Sequence, residues 1–245
     1  MSAPMLASTA LAALLFAAGT DSRAPVSPAP EPLERYTLGL LVRGPAWTPG
    51  RTPHTDSIQA GHMANIMRMA KLGALVAAGP FEENTELRGV FVFEPGTAGF
   101  DTLLAGDPAI ASGRLECRLS TWVAPPGMGV DYRRRRESGE MTRDSMVTYS
   151  WVMLQRGARY DSRPTPAVEK LLARHHAYTE RLRASGRIVY AGAIEGTGDL
   201  RGVLVMTGDS AAVARAVRDD PAVKAARFTP RLLHWWTAWG NIPGH

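Results

Sequence analysis

The chain repeats itself at one constant offset, and no other feature constrains its fold as strongly. Residues 36–123 lie on residues 149–236 without an insertion. His62 falls on His175, Gly79 on Gly192, Leu87-Arg88-Gly89-Val90 on Leu200-Arg201-Gly202-Val203, Asp107-Pro108 on Asp220-Pro221, and Trp122 on Trp235. Roughly a third of the paired positions are identical, far above chance for ungapped segments, so the chain carries two copies of one unit. The boundaries that follow are a leader over residues 1–34, a first domain over 35–124, a linker over 125–147 and a second domain over 148–245. Units this small bury limited cores, so the two copies are expected to pair within the chain.

The leader reads as an export signal. An apolar stretch from Leu6 to Ala18 ends at the small residues Ala17-Ala18-Gly19 and passes into a Pro-rich segment, although no Lys or Arg precedes it. It is too short for stable membrane insertion, and the expected location is periplasmic or secreted. Cys117 is alone and pairs with nothing inside the chain. The net charge of +5 owes four positive charges to Arg133–Arg136 in the linker. Elsewhere basic and acidic residues are interspersed, without the footprint of a nucleic-acid surface. The linker, rich in Gly, Arg and Glu, is expected to be a solvated tether.

Each copy reads as βαββαβ. In the first, a β-rich run from Tyr36 to Val42 precedes a Gly/Pro-rich loop and a helix over residues 55–72 that stops at Gly73. Two strands then flank a polar hairpin, a weaker helical stretch leads to Asp107-Pro108, and a last strand runs to Val123. The second copy repeats this with a helix over 166–185. Right-handed crossovers put both helices on one face of a four-stranded antiparallel sheet. The bare faces of two such sheets cover each other, giving an α+β fold of two tandem ferredoxin-like domains that pair as an intrachain barrel with helices outside.

His62 is the leading candidate for chemistry. At 100° per residue, Ile58, Ile66 and Met69 lie within about 40° of it, so the ring sits in the apolar stripe of its helix and must find a hydrogen-bond partner there. His175 sits likewise among Leu171 and Leu182. Either ring is a core histidine bonded to a carbonyl or one half of an acid/base pair. Asp107 and Asp220, each before a Pro, are helix N-caps, carboxylates that orient the histidines, or both. Arg43 and Arg156 close the first strand of each copy and are candidates for an anionic substrate group, while Arg88 is expected to be exposed. The other histidines form no metal signature, and the fingerprints of Ser/His/Asp hydrolases, P-loops and dinucleotide sites are absent.

Gly61-His62, Ala77-Ala78-Gly79-Pro80 and Asp107-Pro108, with Arg174-His175, Tyr190-Ala191-Gly192 and Asp220-Pro221 after them, resemble the YciI-like (YCII-related) domain over both repeats. The resemblance implies the ferredoxin-like dimeric α+β barrel, here built within one chain. It also implies His–Asp sites at His62 with Asp107 and at His175 with Asp220, and proton-transfer or lyase-type chemistry on a small compound without metal or cofactor. Ala193 where the family has Pro, and Gly61 before the first His, depart from the pattern. The alternative function is a non-catalytic module that binds a small ligand or a protein partner, as a monomeric pseudo-dimer or a homodimer. A heme-dependent relative of the same barrel is disfavoured, because only isolated histidines suggest an iron site.

Overall fold

A computed structural model describes residues 32–245, and the expected export signal lies outside them. The first repeat comprises β1 (Glu34–Arg43), α1 (Pro53–Lys71), β2 (Leu75–Pro80), β3 (Leu87–Phe93), α2 (Phe100–Ala105), α3 (Pro108–Ala111) and β4 (Leu115–Ala124). After α4 (Val130–Glu137) the order recurs as β5 (Met146–Arg156), α5 (Pro166–Ala184), β6 (Ile188–Ile194), β7 (Leu200–Met206), α6 (Ser210–Asp219), α7 (Pro221–Lys224) and β8 (Phe228–Ala238). Local chemistry sets the long helices. Thr52 and Thr165 each accept a backbone N–H at the start of α1 and α5, and Pro53 and Pro166 follow them at the first helical position.

All eight strands form one antiparallel sheet in the order β2-β3-β1-β4-β6-β7-β5-β8, curled until its edges meet. The repeats join through β4 and β6, where Trp122 pairs with Ile194 and Val123 with Ala193. The far edges meet through the counterpart of that contact, a bridge from Phe81 to Trp235. The amide of Glu195 donates to the Thr121 carbonyl at 3.0 Å on one side, and that of Glu82 to the His234 carbonyl at 2.9 Å on the other. The fold is therefore α+β, with an eight-stranded, nearly closed antiparallel barrel.

Side-chain alternation divides the core into layers. From β1, Tyr36, Leu38, Leu40 and Val42 point into the barrel, as Tyr149, Trp151 and Met153 do from β5. Trp151 bridges the two seams, with its ring 5.7 Å from Trp122 and 5.1 Å from Trp235. The lumen is thus packed with side chains. Opposite-facing residues build two outer cores under the helices, around Phe91 and Met69 in the first repeat and around Leu204 and Val213 in the second.

Glycine at the seams is a steric requirement. A Cβ on Gly79 would lie 2.1 Å from the Trp236 carbonyl oxygen, and one on Gly192 2.5 Å from that of Val123. This accounts for their retention in both copies.

The connector departs from the expected loose tether. It contains α4 and buries Met128 and Met141, and the Arg135 guanidinium stacks 3.5 Å from the centroid of Trp239. Its basic run is therefore held against both repeats, Arg135 on Trp239 and Arg133 on Glu94 at 3.3 Å. Among the described residues no helix is long and apolar enough to cross a membrane.

If the seams hold the barrel shut, Gly79→Ala and Gly192→Ala should each cost about 1–3 kcal/mol, the usual range for overpacking. Urea denaturation followed by tryptophan fluorescence checks this, with Gly198→Ala, which has open space around it, as the neutral control.

Candidate functional site

Both histidines bind the carboxylate that follows them in their own repeat. His62, in the middle of α1, places Nδ1 2.8 Å and 3.0 Å from the two oxygens of Asp107. His175 on α5 places Nδ1 2.6 Å from Asp220. A carboxylate only accepts, so Nδ1 is the protonated nitrogen in each pair. Each Asp also caps the four-residue helix it begins: Asp107 accepts the Ala109 amide at 2.9 Å and Asp220 the Ala222 amide at 2.7 Å. Capping and holding the imidazole are one arrangement: Asp220 uses one oxygen for each task, whereas Oδ1 of Asp107 takes part in both. Both pairs are buried under the helix layer; Asp107 is 0% exposed and Asp220 2%.

The two pairs differ in what lies beside them. Phe91 stacks on His62 with ring centroids 5.9 Å apart and 24° between planes, and Asn65 adds a 3.3 Å hydrogen bond to Asp107. The residue at the place of Phe91 in the second repeat is Leu204, which is smaller. Beside His175 a cleft of about 460 Å³ runs between α5 and the outer face of β6 and β7, with Leu172, Leu204 and Tyr160 among its apolar walls and Arg201 and Arg227 among its polar ones. With Nδ1 held by Asp220, His175 retains only Nε2 for a ligand in that cleft.

Arginines organise the end of each sheet. Arg43, Arg88 and Arg114 place their guanidinium carbons 5.1, 5.0 and 4.5 Å from the centroid of Trp47. Arg156, Arg201 and Arg227 lie 4.9, 5.9 and 4.6 Å from that of Tyr160, which occupies the equivalent position. Arg43 and Arg156 thus stand at a site in each repeat, but as one of three arginines rather than alone. Arg88 is half-buried, in contrast to the exposure expected for it. The missed members, Arg114 and Arg227, are identical between the copies, and that identity was the available signal. Each follows a tight left-handed residue, Gly113 at φ 69° and Ala226 at φ 56°.

One further constellation looks catalytic in outline. His234 Nδ1 lies 2.6 Å from Glu83 and its Nε2 2.7 Å from Ser210 Oγ. Ser210 opens α6, whose cap Asp209 takes the Ala212 amide with its carboxylate at 2.8 Å. A negative group thus sits where an acyl-transfer site needs donors for an oxyanion. The triplet clasps the β2–β3 hairpin to β8 and α6.

No protein-family model and no curated protein sequence matches the chain. Solved structures similar in fold span most of it. A protein named "Putative Chlorite dismutase" is 13% identical, with 85% of this chain and 96% of that chain covered at a TM-score of 0.52. A mutant chlorite dismutase from Candidatus Nitrospira defluvii in complex with cyanide is 12% identical, with 87% and 93% covered at 0.51. A heme-binding protein from Thermus thermophilus is 15% identical, with 87% and 96% covered at 0.48. These findings overturn the YciI-like assignment: short motifs shared with that family do not amount to a match, and the similar folds belong to chlorite dismutases. The lyase-type, His–Asp proton-transfer function falls with that assignment. In both pairs the Asp carboxylate caps a helix and holds an imidazole, the orienting arrangement expected of Asp107 and Asp220.

Burial raises the Asp107 carboxyl, but the His62 hydrogen bond and charge, with the Ala109 amide and Asn65, outweigh it and hold the group below its ordinary value. A depressed folded pKa means that the stabilisation is complete above the ordinary value, near 3.8, and disappears as pH falls through the folded one. Asp107→Asn should cost about 1–3 kcal/mol at pH 7 and flatten the acid limb below pH ~4, measured by urea midpoints across pH.

Proposed function

We propose that the second repeat binds a small, flat, largely apolar molecule carrying negative charge, in the cleft between α5 and the sheet. The observation that carries this reading is His175: one ring nitrogen is fixed by a buried carboxylate, and the ring borders a roomy cleft that Arg201 and Arg227 also line. The cleft's volume falls within the ordinary range of small-molecule sites, about 300–1,000 Å³, and such sites pair apolar walls with a few placed polar groups. We also propose that the chain is a tandem duplication whose halves pair as a pseudo-dimer, a reading supported by the matched seams of the barrel.

Iron porphyrin is the ligand class that suits this donor set best. An imidazole whose far nitrogen donates to a carboxylate is a well-oriented axial ligand, because the second group fixes tautomer and ring angle and raises basicity. His175 with Asp220 has that form, leucine side chains supply an apolar bed, and the two arginines suit propionate groups. His175 would hold the group through Nε2, and the group would supply an iron able to bind a further small ligand. The protein's own part is to present Nε2, to keep the Nδ1 proton on the Asp220 side, and to exclude water from the apolar walls. In the first repeat Phe91 lies against the corresponding ring, so His62 is assigned a structural role.

Hemin titration followed by absorbance tests the reading. The wild-type chain should bind about one hemin with an imidazole-ligated spectrum; Asp220→Asn should weaken binding about 10–100-fold, the usual effect of removing a second-shell partner. His175→Ala should abolish the ligated spectrum, and His62→Ala should leave it unchanged. A His175→Ala spectrum identical to the wild type would remove the porphyrin reading. Loss of benzoate-induced thermal stabilisation in Arg201→Met would still support an anionic ligand in the same cleft.

A further inference from the structure

The arginine cluster of the first repeat lies outside the cleft and has no part in it. Arg43 donates to the Asn84 side chain at 2.7 Å, Arg88 to the Glu83 carbonyl at 3.2 Å, and Arg114 to Thr48 Oγ1 and its carbonyl at 2.9 Å each. All these acceptors are neutral. The carboxylate of Glu86 is lowered chiefly by its bond to Arg231 and least by the charge of Arg43. Three guanidinium groups thus share one indole ring with no carboxylate hydrogen-bonded to any of them. The Nε of Arg43 is buried without a partner, which leaves a donor unsatisfied in the cluster.

Comparison with the second repeat sharpens the point. There Asp161 stands at the position of Thr48; its carboxylate is held by the Arg163 guanidinium at 2.9 Å and lowered first by that bond and only lastly by the charge of Arg227, while its backbone carbonyl accepts from Arg227 at 2.7 Å. The second cluster has a carboxylate, shared with Arg163, at the position where the first has a hydroxyl. Like charges held together need either such a neutralising group or a ligand, since their mutual repulsion costs free energy. Arg88 feels this: burial first, then the charges of Arg43 and Arg114, hold its guanidinium below the ordinary value.

We propose that Arg43, Arg88 and Arg114, arranged around Trp47, form a binding site for a compact divalent oxyanion of the phosphate class. Guanidinium forks match the oxygens of such an ion bidentately. The indole fixes the approach of all three cations by cation–π contact, and Thr48 adds a hydroxyl beside Arg114. The ligand enters from the loop that connects β1 to α1. This site is independent of the cleft beside His175, and either can fail without the other.

Isothermal titration of the full chain with inorganic phosphate tests the proposal. Arg88→Met and Arg114→Met should each weaken phosphate binding by about tenfold or more, the scale of one lost charge-assisted hydrogen bond. Thr48→Asp, which copies the second repeat, should do the same while the thermal midpoint without phosphate stays level or rises. Arg201→Met should keep the wild-type phosphate affinity, and Arg88→Met should keep the hemin titration of the wild-type chain. Circular dichroism confirms the fold of each variant, and Thr48→Asp answers the question if an arginine variant does not fold. A wild-type chain that takes up no phosphate at tens of millimolar would overturn the site, as would full affinity in Thr48→Asp or loss of affinity in Arg201→Met.

Discussion

The structure depends on the two seams at which the repeats meet. Neither four-stranded half buries its inner face alone. The faces become a core only because β4 reaches β6 and β8 reaches β2 closely enough to join. That approach is set by a missing side chain, the Cβ that Gly79 and Gly192 lack, and by the large rings of Trp122 and Trp235 beside them. A packed lumen follows from this closure. Ligand chemistry is thereby moved outward, to the layer between helix and sheet.

Within that outer layer the histidine and aspartate form a clamp that ties a long helix to the short one before the last strand. Each repeat carries the same clamp, and exchanges beside it change its surroundings. Phenylalanine at position 91 stacks on the face of His62, whereas beside His175 the equivalent residue is Leu204 and the aromatic contact is the edge-on ring of Phe228. The arginine clusters show the same divergence in charge, since threonine at 48 faces aspartate at 161. The equivalent positions of the two repeats thus differ in packing and in charge.

Much of the fold was legible from residues alone. The constant offset predicted two βαββαβ repeats, and the helix stops at Gly73 and Gly186 fell where the backbone turns left-handed. The His–Asp partnership was also legible, because a ring inside an apolar stripe requires a partner and Asp-Pro recurs at a matching distance. The connector was not: its burial rests on scattered residues such as Met128 and Met141, which carry no periodic pattern. The arginine clusters were missed because their members come from three separate strand ends and converge only when the sheet curls. Family membership was misread because short motifs that cap helices and close seams are demanded by the fold itself.

The most direct test of the account is the ring chemistry of the two histidines, read by ¹⁵N–¹H correlation spectroscopy of the chain with and without gallium protoporphyrin, a diamagnetic stand-in for hemin. Both rings should carry their proton on Nδ1, and the ligand should shift Nε2 of His175 while that of His62 stays in place. A bound porphyrin that leaves His175 unmoved, or that shifts His62 instead, would contradict it.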